Sequence, residues 1–276
     1  MWARPINILK TILKISLVVL VSFAISLGLH VSVNESIRMP TTIEMKSLDN
    51  ISKDLDFKEK QATMLSRHSV LKVLSSREDV AGFTKMSGTY VEYDDKFYVI
   101  TAAHGIMGEC EFVFVAAGND SVYSCIKYII VDQETDYAII QIEEVSKRTP
   151  VKLELVVPAP RQWLQETSVL NEVFYTGYPN GLGPLTFRGS VAGVSDENYI
   201  YLHSYAWPGS SGAGVFSNDG QLIGIVVALN VGLTGAGYDI LEDLVIITPL
   251  FLVDWESAYE IMEEAPTAVD TGDTAE

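Results

Sequence analysis

The sequence predicts an all-β body, preceded by an apolar N-terminal segment and followed by a helix. Three observations lead there. From Ser69 to about Ile247 the chain is a succession of short β-type runs broken by turn signals, the pattern of a barrel or sandwich. Two pairs of these runs flank tight hairpin signals. Finally, aliphatic and aromatic residues make up 48% of the chain, enough for a sizeable core.

The first element is the segment 1–33. Ile15 to Val33 is an uncharged run preceded by Arg4, Lys10 and Lys14 and followed by Glu35. As a helix rising about 1.5 Å per residue it would be about 28 Å long, close to the hydrocarbon thickness of a bilayer. The basic flank predicts a cytoplasmic N-terminus and an exported body. A cleaved signal peptide is the alternative, with Ser26-Leu27-Gly28 as its small-residue site, making the protein secreted or periplasmic. The apolar run continues past Gly28, which favours a retained single-pass anchor. Residues 34–68 are polar and read as a stalk, although Leu48, Ile51 and Leu55 have helical spacing.

Strands then follow in order. Val91-Glu92-Tyr93 and Phe97–Thr101 flank Asp94-Asp95-Lys96 as a hairpin. Cys110 and Cys125 flank two alternating runs joined near Ala117-Gly118, which would place them opposite each other on adjacent strands. Opposed Cα atoms lie about 4.5–5.5 Å apart, within disulfide range, and an oxidising compartment would allow the bridge. The alternative is a pair of free thiols. Tyr137–Ile142, Val173–Tyr178, Phe187–Val194 and Tyr199–His203 supply further strands. Val215-Phe216 and Leu222–Ile225 form a second hairpin around Ser217-Asn218-Asp219-Gly220. Thr248 is a good N-cap and Pro249 suits the first helical position, so a helix is predicted over 249–264. Phe251, Trp255, Tyr259 and Met262 give it an apolar face. Residues 265–276 read as an acidic disordered tail.

The net charge is −17, and from Val151 to Glu276 three basic residues face seventeen acidic ones. Such a surface repels phosphate and argues against nucleic-acid binding. No C-x-x-C or H-E-x-x-H pattern supports a metal, and no cofactor is expected.

Three strings carry chemistry. Thr101-Ala102-Ala103-His104 ends an apolar strand, where small neighbours can hold a general base rigidly. Asp136 stands at the mouth of the Tyr137–Ile142 strand, where a carboxylate can orient an imidazole. Pro208-Gly209-Ser210-Ser211-Gly212-Ala213-Gly214 lets the backbone turn tightly, expose a serine hydroxyl and aim peptide N–H groups at a carbonyl. Each string alone is weak. Their order, His, Asp, Ser, at separations of 32 and 75 residues inside a β pattern, is not.

With these residues the chain resembles the trypsin-like serine proteases, specifically the HtrA (Deg) branch, over about Ser69 to Trp255. Ser87-Gly88 through His104, Gly177-Tyr178-Pro179-Asn180-Gly181-Leu182-Gly183 and Gly220–Ile225 add to the match. The resemblance implies two antiparallel six-stranded β-barrels, one over about 69–155 and one over about 165–250, within a protease domain of 69–264. It implies Ser211 as nucleophile, His104 as base, Asp136 as its orienting carboxylate and the N–H groups of Gly209 and Ser211 as oxyanion hole. Tyr205, Ala228, Leu229 and Asn230 would line the substrate pocket, which, lacking a carboxylate, suits small or medium apolar residues. His203 offers the alternative of an acidic one.

Three positions depart from the family. Ala213-Gly214 replaces the usual Gly-Pro, and Ser210 stands where zymogens carry the aspartate that pairs with a new N-terminus. With about twenty residues after Trp255, no PDZ domain fits. The expected partners are a polypeptide substrate, the membrane through the N-terminal helix, and further copies in a trimer, as in HtrA relatives. The expected activity is endoproteolysis of exported or membrane-adjacent proteins. A catalytically silent binding module and a narrow self-processing protease are the alternatives.

Overall fold

The computed structural model describes residues 14, 16–26, 41–118, 121–234 and 237–263, except the side chains of 80 and 228–242. Residues 1–50 and 51–276 form separate compact units. In the first, residues 16–26 are helical, and a short capped helix, α1 (Thr42–Lys46), follows. Among the described residues no helix is long and apolar enough to cross a membrane. The expected anchor, 15–33, lies only partly within them, and the expected tail, 265–276, lies wholly outside.

The second unit opens with a correction to the stalk. Residues 57–69 are a helix, α2 (Phe57–Ser69), started by a reciprocal capping box between Asp56 and Glu59. Its buried face is Ala62, Thr63, Ser66 and Ser69. The Ser66 hydroxyl donates to Thr176 Oγ1 at 2.8 Å, and Arg67 donates to Thr186 Oγ1 at 2.8 Å. The helix is therefore part of the body. The spacing of Leu48, Ile51 and Leu55 does not mark a helix, since residues 47–56 are turns and extended chain.

The strands β1 (Val70–Arg77), β2 (Val80–Tyr93), β3 (Lys96–Thr101), β4 (Val113–Ala116), β5 (Val122–Ser124), β6 (Lys127–Asp132) and β7 (Tyr137–Ile142) pair in the order β5-β4-β1-β2-β3-β7-β6. A short β8 (Val151–Lys152) runs parallel to β2 along Val91 and Glu92, just beyond the last β1 partner, Thr89. The expected first barrel is thus an open, half-barrel sheet. No ladder joins its edges, β5 and β6, among the described residues. Instead the chain steps across them at one corner, where Cys125 N–H donates to Val113 O and Ile126 N–H to Gln141 O. The hairpin Asp94-Asp95 turns with both residues at positive φ, 49° and 55°, the two-residue turn that matches strand twist.

Two short helices, α3 (Leu153–Val156) and α4 (Trp163–Glu166), lead to the second half. There β9 (Glu172–Gly177), β10 (Leu185–Val194), β11 (Ile200–His203), β12 (Gly214–Ser217), β13 (Leu222–Thr234) and β14 (Gly237–Pro249) close a six-stranded barrel in the order β10-β11-β14-β13-β12-β9. The final helix, α5 (Trp255–Glu263), begins at Trp255, not at 249. Thr248 and Pro249 end β14 instead: Thr248 is buried and its hydroxyl donates to Thr135 O, while Pro249 is extended. Asp254 performs the capping, its carboxylate accepting from the Ser257 N–H and hydroxyl.

Strand alternation distributes side chains among three cores. Val99 and Ile140 face the interior of the open sheet. Val173, Tyr175 and Val215 fill the barrel. Their neighbours Tyr98, Ile100, Ile139, Phe174 and Phe216 meet in a shared cluster between the two halves, together with Ala62 of α2 and Met262 of α5. Both faces of these strands are buried, which is why they read as nearly unbroken apolar runs. The resulting fold is mostly β, with one half-barrel, one closed barrel and a C-terminal helix.

Candidate active site

The open half presents His104. Strand β3 runs inward to Thr101, and Ala102 and Ala103 are fully buried. A single turn of 3-10 helix, Ala103–Gly105, then lifts the histidine out, leaving its side chain about half exposed. Asp136 approaches from the turn before β7, at φ 59°. That turn is shaped by Asp132, whose carboxylate accepts from the N–H groups of Glu134 and Thr135 and from the Thr135 hydroxyl. Gln133 ties it to the histidine turn by donating to Ala103 O at 3.1 Å.

Asp136 grips His104 twice. Its Oδ1 accepts the His104 main-chain N–H at 2.8 Å, and its Oδ2 lies 2.7 Å from Nδ1. An ionised carboxylate only accepts, so Nδ1 carries a proton and the neutral ring keeps its lone pair on Nε2. The hydrogen bond to Asp136 raises the imidazole pKa above its ordinary value, partial burial opposes the rise, and the charge of Asp136 adds to it.

The closed barrel presents the serine loop. Ser210 is buried, and its Oγ accepts from Trp207 N–H; Ser211 is partly exposed. Gly209 and Gly212 lie at φ 96° and 84°, a conformation that favours glycine. A Cβ on Gly212 would sit 2.1 Å from Ser87 O, 2.3 Å from Thr101 Oγ1 and 3.1 Å from Ala102 N. The serine loop therefore closes directly on the strand end that delivers His104. Ala213, the departure from the family pattern, is fully buried in the barrel core, and its N–H donates to Ser210 O at 3.0 Å.

Sequence reasoning gave Ser87 no individual role, yet it bridges the halves. Its N–H donates to Ser211 O at 2.8 Å, its hydroxyl donates to Gly209 O at 2.7 Å, and the same oxygen accepts Tyr178 N–H at 2.9 Å. Tyr178 is held in turn by Arg148, which donates to its hydroxyl at 2.8 Å, and by Lys72 over its ring. The only signal in the sequence was the Ser87-Gly88 string.

Of the expected pocket residues, Tyr205 is 56% exposed and its carbonyl accepts the Tyr175 hydroxyl. Beside it, Tyr175, Phe187 and Trp207 form a ladder of rings with centroids 5.1 and 5.6 Å apart. Ala228, Leu229 and Asn230 lie on β13, with side chains outside the described residues. The structure joins Cys110 and Cys125 in a disulfide with Cα atoms 5.3 Å apart. The hairpin register differs from the expected one, however: Phe114 faces Ser124, and Cys110 reaches its partner from a 3-10 turn before β4.

Among the described residues no group of three or more His, Cys, Asp or Glu side chains could hold a metal ion. An apolar groove of about 520 Å³ lies between α2 and residues 149–151 and includes none of the residues above.

No curated protein sequence matches the chain. Among solved structures it is similar to a serine endoprotease from Yersinia pestis, with a TM-score of 0.57 at 20% identity over 76% of this chain and 69% of that one. It is also similar to the Rv3671c protease from M. tuberculosis in its active form, with a TM-score of 0.56 at 19% identity over 75% and 86% of the two chains. The family profile described as the trypsin-like peptidase domain matches residues 86–225, a span holding His104, Asp136 and Ser211. The chain belongs to the trypsin-like peptidase family and is a serine-type endopeptidase.

Proposed function

We propose that Ser211, His104 and Asp136 are the catalytic triad of this endopeptidase. One observation carries the assignment: Asp136 engages both the main chain and Nδ1 of His104. That geometry fixes the tautomer a general base needs. In this reading Ser211 Oγ attacks the scissile carbonyl while Nε2 of His104 takes its proton. The same proton passes to the leaving amine as the C–N bond breaks, giving an acyl-enzyme. Water, deprotonated by the same imidazole, then releases the acid and restores the serine. The N–H groups of Gly209 and Ser211 hold the oxyanion. Gly209 suits that duty because its backbone conformation is one few other residues adopt.

The substrate class follows as part of the proposal. Tyr205, not a carboxylate, stands six residues before Ser211, so small or medium apolar residues should precede the cut; a cation there would lie unpaired. Residues 15–33 would tether the protein. The described part, 16–26, is helical and displays exposed Leu17, Leu20 and Phe23. The Cys110–Cys125 disulfide favours an oxidising, extracytoplasmic compartment, where exported or membrane-adjacent polypeptides would be the substrates.

The test is labelling of the full-length protein in detergent by a fluorophosphonate probe. Wild type should label and Ser211→Ala should not. Equal labelling of both would remove Ser211 from the mechanism.

A further inference from the structure

At the far end of β12 from the serine loop lies a polar recess of about 400 Å³. Its walls come from the first turn of α2, the end of α4, the segment leading into β9 and the β12–β13 hairpin. That size falls within the range of ligand sites, about 300–1,000 Å³. The strand itself rises about 10 Å from Gly214 to Ser217, and His104, Asp136 and Ser211 do not line the recess.

Donors and acceptors around it do not balance. Lys58 donates to Asp219, the Ser168 hydroxyl to Leu164 O and the Asn171 amide to Gln165 O, so these donors are spent within the protein. Glu172 is paired with Arg188. Two acceptors are left over. Glu166 is only 5% exposed, yet among the described residues its carboxylate has no hydrogen bond or ion pair. Its charge helps to raise the Lys58 pKa, but the first cause of that rise is Asp219, which holds the ammonium. The second acceptor is Asn218 Oδ1, which is buried and has no partner among the described residues. The Asn218 main chain is fixed, its N–H donating to Glu172 O at 3.1 Å. A buried carboxylate or amide oxygen without a donor is costly, which points to a donor supplied from outside.

We propose that this recess is an exosite for an arginine side chain of a polypeptide, whose guanidinium donates to the Glu166 carboxylate and to Asn218 Oδ1. A planar fork of five N–H donors can serve two acceptors at once, and its weak hydration eases entry. Glu166, Glu172 and Asp219 all line the recess, but among the described residues no three such side chains could hold a metal ion, so an extended organic cation suits it. Leu170, largely exposed beside them, offers apolar contact to the methylene stem. The net charge of −17 draws a basic segment toward the protein. A polypeptide would thus be held by a basic residue at a place separate from the cut.

The experiment follows the fluorescence anisotropy of a fluorescein-labelled glycine peptide carrying a single arginine, titrated with the full-length protein in detergent. Twin peptides carry citrulline, which has the shape of arginine without its charge, or lysine. The arginine peptide should bind at least about tenfold tighter than the citrulline twin, with lysine between them. Glu166→Gln keeps the shape of the side chain and removes its charge. It should weaken the arginine peptide by at least about tenfold and bring it level with citrulline. Asn218→Ala keeps the main-chain bond to Glu172 and should weaken the arginine peptide by about threefold to tenfold. Near-ultraviolet circular dichroism checks that each variant is folded, and Asn218→Ala decides the matter if Glu166→Gln is not.

Equal binding of the arginine and citrulline peptides, or binding of neither, would overturn the exosite. So would an arginine preference that survives in folded Glu166→Gln, or in folded Asn218→Ala should that variant have to decide. Lysine bound as tightly as arginine would overturn the choice of a guanidinium. None of these results bears on Ser211, which the fluorophosphonate probe tests separately.

Discussion

The two halves of the body offer the same reaction different kinds of support. The closed barrel has no free edge, and its serine loop is held by hydrogen bonds on every carbonyl from Pro208 to Ser211. The half carrying His104 and Asp136 is an open sheet whose edges no ladder joins among the described residues, with a disulfide at the Cys125–Ile126 corner. Closure does for one half what side-chain bonding and a covalent staple do for the other. The difference teaches that the serine loop is defined by its backbone, whereas His104 is held by one carboxylate.

The sharpest way to break the comparison is at that carboxylate. Asp136→Asn keeps the shape but permits the wrong tautomer, so kcat should fall by about 10⁴. The pH profile gives a second readout. As the proposed base, His104 must be neutral to accept a proton, and Asp136 raises its pKa, so wild-type activity should rise with pH through that elevated value. Removing the charge should move the limb to lower pH; a limb that stays in place would show that Asp136 does not govern the imidazole.

A smaller effect is expected at the staple. Replacing Cys110 and Cys125 by serine should cost about 3 kcal/mol, the value for a loop of about 15 residues. Hydrogen exchange should show the loss concentrated in β4 and β5, with the barrel strands β9 and β12 protected as before. Uniform loss of protection would mean the halves unfold as one. The smallest effect belongs to α2, which the sequence left unassigned to either half. Asp56→Ala removes its N-cap and should lower stability by about 1 kcal/mol in denaturant titration. No measurable change would show that α2 leans on its packing against the barrel and not on its cap.

What could be read beforehand follows a physical rule. Strand β7 was read to the residue, because Tyr137–Ile142 is apolar on both faces and lies between polar turns. The Asp94-Asp95 turn was legible from its residue types. Helix α2 was not, because its buried face is Ala62, Thr63, Ser66 and Ser69, small and partly polar, so no apolar stripe appears. The start of α5 was misplaced because Thr248 and Pro249 suit a strand end as well as a helix start. Closure of a sheet depends on ladders between distant segments, and a sequence of strands does not say whether the last pair forms. His104, Asp136 and Ser211 were readable as side chains in context. The restraint by Ser87 was not, since all three of its contacts with the serine loop and Tyr178 end on main-chain atoms, which residue identity does not mark.

The bond from Ser87 to Gly209 spans 122 positions of chain. During synthesis the segment holding His104 and Asp136 emerges well before the serine loop, and a contact of such high sequence separation is slow to form. Until the barrel has folded and docked, the loop lacks its clamp and the base lacks its partner. In the proposed mechanism the nucleophile is thus the last part of the site to be put in place.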